Sequence, residues 1–216
     1  MMATVKKTAV LAGASGLTGQ ALLQRLLEHP AYEKIILVLR EKLNLKHEKL
    51  EQLVVDFEHP AQLRIPCDEV FCCLGTTMAK AGSKEQFSKV DHDYVLNLAR
   101  ETKAAGARAM FVVSSVGADE RSMFFYNRVK GMMERDLKSL GFARLGIFRP
   151  GLLLGARSER RPGEAFAKAV YRFINPLLPK PWKGIYPEQV AEAMLQLAAS
   201  ETEEPLRVVS NKDMLR

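Results

Sequence analysis

Seven residues near the start of the chain, Gly13-Ala14-Ser15-Gly16-Leu17-Thr18-Gly19, constrain its fold more than any others. They place three glycines at intervals of three between a strand-like apolar run (5–12) and a helical pattern (17–28). The three glycines serve different ends. Gly13 turns the chain sharply off the strand, Gly16 lets backbone approach a pyrophosphate, and Gly19 lets the helix pack against the sheet. The helix N-terminus then offers free N–H groups and a positive dipole end to phosphate. Ser15 and Thr18 add hydroxyl donors. A glycine triplet between a readable strand and a readable helix is the signature of a dinucleotide site.

The rest of the chain repeats that alternation. Strand-like runs fall at 34–39, 51–55, 69–74, 110–114, 144–148 and 206–209. Helical spacing recurs between them. It joins Val90, Tyr94, Val95, Leu98 and Ala99, spans 124–140 with Phe125, Val129, Met132, Met133, Leu137 and Leu140 inward, and returns at 164–174 and 188–199. The expected class is α/β, a Rossmann-type doubly wound parallel sheet. A length of 216 residues suits one NAD(P)-binding domain over 1–216, in which the part from about 152 forms a small substrate-side cap. Loops are expected at 155–162 and over the proline-rich 175–182.

The second strand predicts which dinucleotide is bound. NAD sites put an acidic residue ~20 positions beyond the glycines to hold the ribose 2′-hydroxyl. Arg40 stands there instead, and a guanidinium fits a 2′-phosphate, so the expected cofactor is NADPH/NADP. A Y-x-x-x-K follows at Tyr126 and Lys130, which places both side chains on one helix face. A cation one turn away lowers the tyrosine pKa from about 10 and suits it to general acid–base work. Ser114 and Ser115 end the preceding strand, and either hydroxyl can donate to a developing oxyanion.

With these residues in place, the chain resembles the atypical short-chain dehydrogenases/reductases, and among them most closely the Tat-interacting-protein-like oxidoreductases. The likeness rests on GASGLTG (13–19), VVDF (54–57), FCCLGTT followed by KAGS (71–83), KVDHDYVL (89–96), SSVGAD (114–119), YNRVK (126–130), FRPGLLL (148–154) and RRPGE (160–164). It implies NADPH held by Ser15, Gly16, Leu17, Thr18 and Arg40, with Asp56 and Phe57 near the adenine. Leu74, Gly75 and Thr76 would run along the cofactor, with Tyr126 and Lys130 at the nicotinamide ribose. The turn at Pro150 and Gly151, with Leu152 and Leu153, would flank the nicotinamide, and Arg161 would contact a phosphate or the substrate. One departure is Asp91, where relatives in the superfamily often carry Asn in the usual proton relay.

Other features carry less chemistry. Cys67, Cys72 and Cys73 have no metal-ligand or disulfide spacing and read as buried thiols in a reducing cytoplasm. His92 reads as a solvated helix residue, and the methionines between 123 and 133 as core filling. No metal site is expected. Of the net charge of +7, +5 lies at 157–183, where Arg157, Arg160, Arg161, Lys168, Arg172, Lys180 and Lys183 face only Glu159 and Glu164. No nucleic-acid module accompanies that charge, and no apolar run is long enough to span a membrane. The leading expectation is an enzyme moving hydride to or from a small carbonyl or alcohol. The alternative is an NADPH-binding sensor or regulator that works through a protein partner with little turnover. No motif encodes the substrate's identity or the oligomeric state.

Overall fold

The computed structural model describes residues 6–155, 182–202 and 204–215. β1 (Lys7–Ala12) leads through the glycine turn into α1 (Leu17–Glu28), and β2 (Tyr32–Leu39) and β3 (Leu50–Val54) follow. β4 (Glu69–Cys72) precedes two short helices, α2 (Met78–Ala81) and α3 (Lys84–Ser88). A π-helical turn, Lys89–Asp93, joins α3 directly to α4 (Tyr94–Ala104). β5 (Ala109–Val113), α5 (Phe125–Ser139), β6 (Arg144–Arg149), α6 (Pro187–Ala199), β7 (Leu206–Ser210) and α7 (Asn211–Met214) complete the order.

The seven strands form one sheet in the order β3-β2-β1-β4-β5-β6-β7, and every pairing is parallel. Parallel strands need helical crossovers, so both faces of the sheet are covered. Alternate residues of each strand enter opposite cores. Ala9, Leu11, Ile35, Leu37, Phe71, Phe111 and Phe148 pack with Leu22 and Leu26 of α1 and Val190 and Met194 of α6. Val10, Ile36, Val38, Val70, Met110, Val112 and Ile147 pack with Val95 and Leu98 of α4 and Met133 and Leu137 of α5. The order in which strands are added reverses between β1 and β4, where doubly wound folds open a crevice for ligands.

Among the described residues the expected strands and helices are present, with ends displaced by one or two residues. Three side-chain expectations need correction. Met123 is 95% exposed at the mouth of α5, not core filling, although Met133 is buried. His92 is not solvated: its ring bridges Asp93 (2.7 Å) and Asp136 (3.0 Å). Of the three thiols only Cys72 is fully buried. The helix expected at 164–174, Arg161, and all but the first residue of the loop expected at 155–162 and all but the last of that expected at 175–182 lie outside the described residues. Among the described residues, no helix is long and apolar enough to cross a membrane.

Candidate active site

The glycine turn is built by close backbone contact. Gly13 has φ +84°, and a Cβ on it would lie 2.4 Å from the Cys73 carbonyl group at the end of β4. A Cβ on Gly19 would lie 2.1 Å from the Gly13 oxygen. Strand, turn and helix therefore meet at a point that no side chain could enter. Gly16 caps α1 without a side-chain hydrogen bond, and the first turn contains no acidic residue. The Thr18 hydroxyl is buried beside it with no hydrogen-bond partner among the described residues. A positive helix end, an unsatisfied buried hydroxyl and a floor free of side chains fit a dinucleotide's phosphates.

Arg40 is exposed directly after β2. Beyond β3, Asp56 accepts the Glu58 N–H (2.9 Å) and contacts His59 Nδ1 (2.9 Å), and these bonds hold its carboxyl below the usual range. Glu58 accepts the Tyr94 hydroxyl (2.5 Å) and Lys89 (3.0 Å). Burial, reinforced by Glu58, pushes the Tyr94 phenol up to about 12. The Phe57 ring is buried and stacks on Tyr94 at 5.4 Å.

The residues expected to carry the chemistry follow β5 and lie on α5. Tyr126 is exposed in the first turn of α5, with its ring 5.5 Å from Phe87. Lys130, one turn on, is only 3% exposed, and its Nζ lies 2.8 Å from Asp91 Oδ1. Burial opposes the Lys130 charge, but the Asp91 carboxylate and Tyr126 outweigh it and hold the ammonium pKa above its ordinary value. The two serines part company. Ser114 donates to Glu134 Oε1 (2.6 Å), and Glu134 is in turn held by Arg149 Nε (2.9 Å) and Nη2 (2.5 Å). The Ser115 hydroxyl is buried and has no partner among the described residues.

The 150–153 segment follows β6. The Pro150 carbonyl accepts the Val116 N–H (2.9 Å), and the Gly151 N–H donates to Asn211 Oδ1 (2.7 Å). Asn211 Nδ2 donates to the Lys183 carbonyl (2.8 Å), while Leu153 bridges to Ile185 and Leu152 stays exposed. Gly13, Ser15, Gly16, Leu17, Thr18, Gly19, Leu74, Gly75, Thr76, Ser115, Tyr126 and Pro150 thus follow the carboxyl ends of β1, β4, β5 and β6. Sequence reasoning missed Glu134, Arg149 as its partner, Asn211, and the direct Asp91–Lys130 pair. Their partners lie 15 to 60 positions away, and no local pattern marks them.

This fold and this turn define the class of NAD(P)H-binding Rossmann proteins, and residues 13–152 match the NAD(P)H-binding family. Within that class the chain belongs to the family of HTATIP2 and FMP52. It is 39% identical to Protein HTATIP2 of Rattus norvegicus over 97% of this chain and 88% of that protein. It is 32% identical to Protein FMP52, mitochondrial, of Saccharomyces cerevisiae over 94% and 93%. In fold it is similar to a short-chain dehydrogenase/reductase family oxidoreductase from Burkholderia thailandensis, with TM-score 0.71, 18% identity and coverage of 98% and 94%. It is likewise similar to UDP-glucose 4-epimerase of Thermotoga maritima, with TM-score 0.71, 15% identity and coverage of 94% and 76%. The expected cytoplasmic location is overturned, because the fungal relatives are named as mitochondrial.

Proposed function

We propose that the chain is an NADPH-dependent oxidoreductase that interconverts a small carbonyl and its alcohol, with Tyr126 as general acid–base. The observation that carries this reading is the buried, unpartnered Ser115 hydroxyl at the same strand end as the Tyr126–Lys130 pair. A native protein rarely leaves such a group unsatisfied unless a ligand or water completes it.

The glycine turn and the first turn of α1 hold the pyrophosphate, with Ser15 and Thr18 donating. Arg40 takes the 2′-phosphate, and Asp56 with the Phe57 backbone borders the adenine. Leu74, Gly75 and Thr76 line the path to the nicotinamide, which Pro150, Gly151, Leu152 and Leu153 flank. When bound, the coenzyme supplies or accepts the hydride. Ser115 donates a hydrogen bond to the carbonyl oxygen and stabilises the charge that develops there. Tyr126, open to the substrate side, gives its proton to that oxygen. The charged Lys130 favours the phenolate that remains. Arg161 is proposed as a phosphate or substrate contact from its place in RRPGE alone.

The test pairs binding with turnover. Calorimetric titration with NADPH should give saturable binding in both the unaltered protein and Tyr126→Phe. A screen of small aldehydes and ketones should show NADPH oxidation that Tyr126→Phe lowers by about 10²–10⁴-fold. Unchanged turnover in the variant would sink the tyrosine's role. Tight binding with no turnover on any carbonyl would favour a regulatory NADPH-binding protein instead.

A further inference from the structure

The buried carboxylate of Asp91 has no part in the chemistry proposed above. It is 1% exposed, and both of its oxygens are engaged: Oδ1 lies 2.8 Å from Lys130 Nζ, and Oδ2 accepts the Thr76 N–H at 2.8 Å. A buried carboxylate is costly unless it is paired in this way. It sits in the π-turn Lys89–Asp93, and such turns recur at functional sites because they re-aim a side chain within a continuing helix. The neighbouring His92 turns away, to Asp93 and Asp136.

The pair lies directly against the segment assigned to the coenzyme. A Cβ built on Gly75 would be 3.4 Å from Asp91 Oδ1 and 3.9 Å from Lys130 Nζ. The ionisable groups acting on Lys130 are Asp91 from the π-turn, Tyr126 from its own helix and Cys72 from β4. Of these, only Asp91 is in contact with the ammonium as a hydrogen-bonded carboxylate. The Cys72 thiol is itself pushed up to about 11 by burial, so it carries no charge near neutrality.

We propose that Asp91 is a positioning residue that keeps Lys130 charged and fixed, and so links the coenzyme-lining 74–76 turn to the proton-transfer pair. The inference rests on the reading of Tyr126 and Lys130 given above. A buried lysine without a counter-charge tends to lose its proton, and a neutral Lys130 could neither favour the Tyr126 phenolate nor attract a ribose hydroxyl as strongly. Thr76 supplies the geometry: its N–H holds the carboxylate beside the turn that a bound dinucleotide would touch.

The decisive measurement is an NMR titration of the lysine ε-carbons in the coenzyme-free protein, for the unaltered chain, Asp91→Asn and Asp91→Glu. Lys130→Arg identifies the Lys130 signal. The Asn variant should lower the Lys130 midpoint, and Glu should restore it in part. The same midpoint in all three proteins would overturn the proposal, because a merely structural carboxyl would not move it. If Asp91→Asn does not fold, the unaltered protein decides: a slowly exchanging Lys130 ammonium supports the pair, and a freely exchanging one overturns it.

NADPH affinity adds a second arm. In the Asn variant it should fall above the new midpoint, approaching about tenfold per pH unit, and stay near normal below it. A pH-independent loss in the variant would reduce Asp91 to a packing role and overturn the proposal. Failure of the unaltered protein to bind NADPH would remove the coenzyme reading, while the lysine titration would still judge the pair.

Discussion

Ser114 and Ser115 occupy adjacent positions but face different environments, and that difference separates structure from chemistry. Ser114 shares Glu134 with Arg149, so Ser114→Ala should cost about 1–3 kcal/mol of stability by removing a buried donor to a carboxylate. Turnover per folded molecule should change little. Ser115→Ala gives up no internal hydrogen bond, so its denaturation midpoint should stay near that of the unaltered protein. Its carbonyl reduction should fall by about 10²–10³-fold. Chemical denaturation and steady-state rates on the same two variants check both claims, and a reversed pattern would exchange the roles. The sequence displayed both hydroxyls but not this distinction. Glu134 lies 20 positions from Ser114, and adjacent side chains at a strand end point in different directions whatever their identity. Arg40 and the Tyr126–Lys130 spacing were legible because their arguments are local.

At the scale of elements, α5 carries Tyr126 and Lys130 and must lie close against the 115–120 turn that carries Ser115. Gly131 permits this: a Cβ there would stand 2.1 Å from the Glu120 nitrogen and 2.2 Å from the Asp119 carbonyl carbon. Gly131→Ala should therefore cost about 1–3 kcal/mol and should lower turnover, because the backbone can yield only by moving the serine away from the tyrosine. Denaturation with kinetics tests it, and full activity in the variant would show that the turn has room to move. The other end of α5 meets the π-turn through Asp136, which His92 contacts at 3.0 Å and Arg135 at 2.6 Å. The Arg135 hydrogen bond, with His92 adding to it, lowers the Asp136 pKa. That clamp contributes stability that is complete above the unfolded value of about 3.9 and is lost as pH falls through the lower folded value. Asp136→Asn should thus be less stable than the unaltered protein at pH 6 and converge with it in acid. A constant gap down to pH 2 would count against the clamp. Helical periodicity revealed α4 and α5 but not the π-turn, since one extra residue in a turn looks like ordinary scatter in the apolar spacing.

Across the whole molecule the proposed coenzyme path crosses the β1–β4 reversal, running from Arg40 after β2 to Ser115 after β5 and Tyr126 on α5. The strand order was implicit in the alternation of apolar runs and helices, because parallel strands with right-handed crossovers leave few arrangements. A ligand that touches both halves of the sheet stabilises the folded state by mass action, about 2.7 kcal/mol at a hundred times its Kd. For a chain of this size each kcal/mol moves Tm by about 2–4 °C, so saturating NADPH should raise Tm by about 5–10 °C. NADH at the same concentration should raise it less, since it offers no 2′-phosphate to Arg40. Arg40→Ala should narrow that difference by reducing the NADPH shift while leaving the NADH shift nearly unchanged. Thermal denaturation with each coenzyme, in both proteins, measures the four shifts together. Equal shifts by NADPH and NADH in the unaltered protein would remove the 2′-phosphate assignment but keep the dinucleotide site. The absence of any shift would remove the site as well, and the parallel sheet would then serve some other ligand at its reversal point.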